Sequence, residues 1–322
     1  MHAIEEQTAL LEAQLANLDF PQTPSNLYDP LRYFFTLGGK RMRPMLTLMS
    51  AELFGLPKQK ALSAALAVEI FHNFSLIHDD IMDEAPLRRK QATLHEKWNQ
   101  SVAILSGDVL LVKAYQELCK QDSRHLPELL QVFNKTAVEV CEGQQMDMDF
   151  ETRTNVSIDE YIEMIRLKTS VLLGCALELG AIVADTTSAN KALIYEFGQH
   201  IGIAFQIQDD ILDLYADPMK FGKQVGGDVL ANKKTLLVLK AIELASPAEL
   251  SLFHSLQNES VPQQKIDATR ALFDQLGVRE AAREMMDSHY KIALRALEQI
   301  QVEVTQKLAL KNLAEVLFNR EV

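Results

Sequence analysis

Cysteine is scarce in this chain: 322 residues contain three, Cys119, Cys141 and Cys175. An odd number at wide spacing fits neither a disulfide framework nor a zinc site, and the expectation is reduced structural thiols in a cytoplasmic protein. Positive charge is also short. Lys and Arg number 32 against 44 Asp and Glu, a formal net charge of -12. A nucleic-acid footprint needs a basic face, so no nucleic-acid partner is expected. An acidic chain that binds an anion must instead gather its cations locally. No apolar stretch reaches the ~18 residues that suggest a membrane span. Nor does a basic region followed by an apolar run open the chain, so no signal peptide is expected. Gly-rich dinucleotide loops, alternating strand patterns and repeats of fixed period are missing as well.

What is present is helical. Hydrophobic residues make up 48% of the chain. Residues 61–81, 101–119, 126–146, 158–182 and 193–214 are rich in Ala, Leu, Val and Ile and poor in turn formers. From 235 to 318 the pattern continues in amphipathic helices, broken near Ser246-Pro247, Val261-Pro262 and Gly277. Helices that are apolar on nearly every face belong inside a bundle or at a subunit interface, and 61–68 and 101–112 are candidates for the latter. Breakers cluster at Leu37-Gly38-Gly39, 83–92, 151–157 and 217–232, none long enough to link two domains. The reading is one all-α domain, 1–322, a bundle of roughly ten or more helices whose loops at one end carry the chemistry.

Two aspartate clusters stand out, Asp79-Asp80-Ile81-Met82-Asp83 and Asp209-Asp210-Ile211-Leu212-Asp213. In a helix, residues four apart lie about 40° apart around the axis, so Asp79 shares a face with Asp83, and Asp209 with Asp213. Such carboxylates repel each other, and at a helix C-terminus they also oppose the macrodipole. One acidic helix end is as well read as a solvated surface; two, each after an apolar helix, are not. Magnesium resolves the conflict, since it takes one or two carboxylates, several waters and phosphate oxygens. The cations sit beside these motifs. Gly38-Gly39-Lys40-Arg41-Met42-Arg43-Pro44 offers flexible backbone and clustered charge, Arg88-Arg89-Lys90 follows the first motif, and Lys223 and Lys233-Lys234 follow the second. Arg grips phosphate with a fork and Lys acts as a point charge.

Taken together, these residues resemble the trans-prenyltransferase family, the isoprenyl diphosphate synthases, over roughly 28–234. Ser106-Gly107-Asp108, Lys168-Thr169, Gln206, Gly222-Lys223 and Asn232-Lys233 complete the matching set. The resemblance implies helices around a central cavity (the isoprenoid synthase fold) and a homodimer. It implies that Lys40, Arg43, His72 and Arg89 bind the diphosphate of isopentenyl diphosphate. His72 lies seven residues before Asp79, about two turns, on the motif's face. Asp79 and Asp83, with Asp209 across the cavity, would hold about three Mg2+ ions on an allylic diphosphate. Arg88, Lys168, Lys223 and Lys233 would contact that diphosphate, and Thr169 and Gln206 would line the reacting carbons.

Within the family, bulky residues four or five places before the first motif shorten the product. Those places hold Ser75 and Phe74, with Phe71 a turn further back. Helix geometry puts Ser75 near the motif's face and Phe74 well off it, so a stopper role for Phe74 rests on the resemblance. It points to geranylgeranyl diphosphate, then farnesyl diphosphate. Alternatives are a longer-chain synthase or a non-catalytic subunit of a heteromeric enzyme. A terpene cyclase would not need Lys40, Arg43 and His72, and usually lacks a second aspartate motif.

Overall fold

Helices form nearly all the regular structure of the computed structural model, which describes residues 2–216 and 225–318. Ten or more helices were expected from the breaker pattern, and the described residues supply them. Two compact units divide the chain: Met1–Lys135 with Cys175–Ile194, and Thr136–Gly174 with Tyr195–Val322.

The first unit begins with α1 (His2–Ala16), α2 (Ser25–Thr36) and α3 (Met42–Leu53). Its central element is α4 (Leu62–Met82), in which Ala64 to Phe71 are all buried. The stretch Lys58–Met82 is long and apolar enough to cross a membrane by length and composition. Most of it is buried, however, and a core helix passes the same test. A short hairpin follows, β1 (Leu87–Arg88) antiparallel to β2 (Gln91–Ala92), and then the single turn α5 (Leu94–Lys97) and α6 (Gln100–Leu118). Gly107 of α6 meets His78 of α4 so closely that a Cβ there would overlap the imidazole.

Of the two candidate interface segments, 61–68 is spent on this core: Ala61, Ala64, Ala65, Ala67 and Val68 are fully buried. Segment 101–112 differs, because Ile104, Leu105 and Val112 remain exposed on α6. None of the three cysteines is in a disulfide, and only Cys175 is buried; Cys119 and Cys141 are exposed, which a structural role did not anticipate.

Helices α7 (Leu126–Thr152), α8 (Ile158–Ile165), α9 (Val171–Val183) and α10 (Ser188–Tyr215) follow. One π turn, Arg166–Ser170, joins α8 to α9. The chain continues through α11 (Gly227–Leu230), α12 (Leu236–Leu244), α13 (Pro247–Gln257), α14 (Pro262–Leu276), α15 (Val278–Gln299) and α16 (Val304–Phe318). The breaks at Ser157 and Ser246 are capping boxes in which the Ser hydroxyl and a Glu three residues on bond each other's backbone N–H. They satisfy donors that a helix start leaves open. Gly277, at φ 71°, ends α14 in the left-handed conformation that glycine adopts without cost. The second unit's core gathers Phe150, Met164, Ile207, Ile211, Leu236 and Phe273.

Candidate active site

In the first unit, α4 ends where the first aspartate motif does. Asp83 is the C-cap, its N–H bonded to the Asp79 carbonyl at 2.8 Å, and the Ala85 N–H reaches the Asp80 carbonyl at 2.9 Å. Glu84 turns the chain at φ 47°, a position glycine usually fills. The hairpin beyond it turns through Arg89 and Lys90, at φ 52° and 66°. Two consecutive positive φ values define a type I′ turn, which favours Asn-Gly. Here a cationic pair stands in the strained positions, at a cost of ~1–2 kcal/mol per residue. Such strain persists only where the surroundings hold it, and it concentrates at functional sites.

The hairpin directs Arg88 onto Asp80. Nε and Nη2 each stand 2.7 Å from a carboxylate oxygen, and Asp80 is buried. This leaves Asp79 half-buried and Asp83 exposed as the two carboxylates of the motif that share a face. His72, two turns back, meets Arg43 of α3, whose Nη1 lies 3.1 Å from the ring Nε2. Burial pushes the His72 pKa well below its ordinary value, and Arg43, Arg88, Arg89 and Arg41 push the same way. The ring is therefore neutral, and its Nε2 accepts a hydrogen bond from Arg43 Nη1. Arg89 has a lowered pKa from burial and from its neighbours Arg41 and Arg88. Arg43, His72 and Arg89 thus belong to one cationic cluster, with Lys40 exposed in the loop before α3. Arg41 faces inward instead: its side chain is 1% exposed and it bonds Glu12 and Glu69.

The three chain-length candidates differ in what they touch. Phe71 and Phe74 pack at 5.6 Å between ring centroids, Phe74 against His78 at 4.7 Å and Phe71 against Phe133 at 5.2 Å. Phe71, Phe74 and His78 form one stripe of α4, and Phe71 is fully buried in it. Ser75, one turn after Phe71, turns its hydroxyl onto the His72 carbonyl at 2.9 Å.

In the second unit, a cleft of about 1180 Å³ is lined by Lys168, Thr169, Gln206, Asp209, Asp213 and Lys233, among others. Lys168 and Thr169 sit in the π turn, a distortion found frequently at functional sites. Two glycines press against that turn. A Cβ on Gly143 of α7 would overlap the Lys168 backbone nitrogen, and one on Gly202 of α10 would lie 2.7 Å from Ser170. The Thr169 hydroxyl lies 3.5 Å from the Gln206 Oε1.

Three members of the second cluster differ in role. Asp209 is half-buried and lines the cleft. Asp210 is buried, accepts bonds from the Tyr161 hydroxyl and from the Leu236 N–H at the start of α12, and has its pKa raised to about 7 by burial. Asp213 accepts the Asp228 N–H at 3.1 Å. Lys234 ties the end of α7, its Nζ 2.6 Å from the Phe150 carbonyl. Lys223 lies outside the described residues.

Sequence reading missed Asp147, which lines the cleft and pairs with the Lys168 Nζ at 2.5 Å. It also missed Tyr161 and Glu69. The acidic run Asp147-Met148-Asp149 was the one available signal for the first; the other two look like ordinary core and helix residues.

The donor set suits magnesium. Among the described residues, no three His, Cys, Asp or Glu side chains form a cage for an ion. A cage is not what magnesium needs, since it binds through one or two carboxylates and completes its shell with water and phosphate oxygens. Asp79, Asp83 and Asp209 are oxygen donors of that kind.

Comparison with known proteins identifies the family. The family model for polyprenyl synthetase matches residues 24–274. The chain is 38% identical over 300 residues to a short chain isoprenyl diphosphate synthase of Methanothermobacter thermautotrophicus, covering 93% of this chain and 92% of that one. It is 37% identical over 320 residues to a geranylgeranyl pyrophosphate synthase of Geoglobus acetivorans, covering 99% and 98%. A crystal structure of a geranylgeranyl pyrophosphate synthase is similar at a TM-score of 0.92 and 43% identity, over 100% of this chain and 99% of that one. The chain is a prenyl-transferring enzyme and belongs to the polyprenyl synthetase family.

Proposed function

We propose that the chain, acting over 1–322 as one catalytic domain, condenses isopentenyl diphosphate with an allylic diphosphate to give a short all-trans product, geranylgeranyl diphosphate. The observation that carries this reading is the arginine cluster around neutral His72. It provides an anion site in addition to the cleft at Asp209, and joining two diphosphates requires two such sites.

In this reading Lys40, Arg43, His72 and Arg89 hold the isopentenyl diphosphate. Arg forks suit the diphosphate oxygens. A neutral His72 adds an N–H donor once Arg43 turns to the ligand. Asp79 and Asp83 of the first unit and Asp209 of the second would hold Mg2+, about three ions with diphosphate bound, and the metal would neutralise charge on the leaving group. Arg88, Lys168, Lys233 and Lys223 add fixed positive charge at the allylic diphosphate, where negative charge grows as the C–O bond breaks. Thr169 and Gln206 turn their oxygens toward the allylic carbons as they become cationic. Apolar walls such as Met164 and Ile165 keep water from the cation. The double bond of isopentenyl diphosphate attacks, and the departing diphosphate takes the proton that is lost. No protein nucleophile is required.

Product length rests on Phe74 and on the names of relatives, several of which are geranylgeranyl synthases. Farnesyl diphosphate is the next choice, and a geranylfarnesyl synthase among the relatives keeps a longer chain as the second reading. The exposed apolar side chains of α6 support a homodimer, and we place the enzyme in the cytoplasm. The test incubates the purified chain with Mg2+, isopentenyl diphosphate and each allylic primer, then sizes the products. Products mainly beyond C25 would overturn the chain-length assignment. No turnover by the chain alone would favour the reading as a non-catalytic subunit.

A further inference from the structure

The loop before α3 holds a residue that the reaction as proposed does not use. Arg41 stands between Lys40 and Arg43 but takes φ 48°, the left-handed conformation. For a non-glycine residue this conformation is strained. The turn sends Arg41 into the protein while Lys40 stays exposed. What holds it there is a pair of carboxylates. Arg41 Nε donates to Glu12 of α1 at 2.7 Å, and Nη1 donates to Glu69 of α4 at 2.6 Å. Glu69 is 3% exposed and is itself fixed: Asn73 Nδ2 donates to its side chain at 3.2 Å and to its carbonyl at 2.6 Å.

The same place is crowded with like charge. A Cβ on Gly39 would lie 2.9 Å from Arg41 Nη1 and 3.2 Å from Arg89 Nη1, so two guanidinium groups converge on one glycine. Arg43 and Arg89 both feel the Glu69 charge. A buried carboxylate beneath an anion site is unfavourable for the anion taken alone. Its retention calls for a geometric reason.

We propose that Glu69 is a positioning residue for the isopentenyl diphosphate site, acting through Arg41. It fixes the left-handed turn that places Lys40 and Arg43 on either side of Arg41. It also holds the Arg41 guanidinium at Gly39, against which Arg89 is set. Glu12 assists from the outer side, where its side chain is 41% exposed. The inference rests on the assignment of Lys40, Arg43, His72 and Arg89 to isopentenyl diphosphate.

Charge and position predict opposite signs, which makes the test decisive. If Glu69 acted only by its charge, Glu69→Gln would strengthen diphosphate binding. As a positioning residue, its neutral isostere weakens the hold on Arg41, because the buried guanidinium loses an opposite charge and keeps only a neutral amide oxygen as acceptor. The experiment measures KM for isopentenyl diphosphate, KM for the allylic primer and kcat, in the wild type, Glu69→Gln, Arg41→Lys and Glu12→Gln. The expected result is a rise of about tenfold in KM for isopentenyl diphosphate in the first two variants. A smaller rise is expected for Glu12→Gln, a substitution at the exposed partner that leaves the core intact. KM for the primer and kcat at saturation stay within about twofold. An unchanged or lower KM for isopentenyl diphosphate overturns the proposal, as does an equal rise for both substrates. A wild type that turns over no isopentenyl diphosphate overturns the functional reading itself, and this inference with it.

Discussion

Arg88 grips Asp80 with both prongs of its guanidinium, so the middle carboxylate of the first motif is spent on the protein rather than on a ligand. Asp80→Ala leaves the Arg88 cation without its partner in a half-buried place. Breaking such a pair is expected to cost about 2–3 kcal/mol of stability, below the cost for a fully buried pair because Arg88 keeps some solvent. Chemical denaturation measures it, and Asp80→Asn should cost less.

Asp79→Ala and Asp209→Ala are expected to behave differently. Both positions are half-buried and neither should cost much stability. Turnover should fall by about three orders of magnitude in each, the scale of losing transition-state charge stabilisation. A magnesium titration of activity checks this: both variants should need more Mg2+ and still not recover. Full recovery would remove the metal role assigned to them.

For product length, the aromatic stripe of α4 gives a contrast. Phe74→Ala is expected to lengthen the product at little cost in stability, since Phe74 is half-buried. Phe71→Ala, at a fully buried position, should cost ~3–5 kcal/mol. Chromatography of the products and a melting curve separate the two. Unchanged chain length in Phe74→Ala would take that residue out of the stopper role.

Strain in the hairpin should be removable. Lys90, at φ 66°, holds the second central position of the I′ turn. Lys90→Gly is expected to stabilise the protein by about 0.5–1 kcal/mol, less than the relieved strain because glycine adds entropy to the unfolded chain. Activity should be unchanged, since Lys90 has no part in the proposed site.

A pH dependence follows from His72. Its pKa is lowered on folding, so between its folded and unfolded pKa values the unfolded chain binds the extra proton. Stability is then expected to fall as pH drops below about 6.5, by up to ~1.4 kcal/mol per pH unit for one proton. His72→Gln should flatten that slope. Denaturation at pH 5, 6 and 7 gives the comparison, and the other titrating groups are common to both proteins.

Much of this was legible in the sequence, for identifiable reasons. Helix ends announced themselves through Ser157, Ser246-Pro247 and Gly277, whose capping chemistry is local. The pairing of Asp79 with Asp83, and the place of His72 two turns back, follow from helical period alone. The Arg89-Lys90 turn did not announce itself, because its conformation is imposed on residues that disfavour it. Arg41 could not be told from its neighbours Lys40 and Arg43, since a left-handed turn at one residue is invisible in a run of cations. Asp147 escaped because its partner Lys168 is 21 positions away. Segment 61–68 looked like an interface because burial inside a unit and burial between subunits leave the same composition.

The π turn held between Gly143 and Gly202 has a further consequence. Neither neighbouring helix has room for one extra methyl group there. The Lys168-Thr169 segment is therefore a fixed point under mutation, and any substitution at either glycine must move backbone rather than side chain. The aromatic stripe of α4 is built from side chains that can be trimmed one at a time. On the proposed reading, single trims at Phe74 change product size while the Lys168-Thr169 segment that handles charge stays locked.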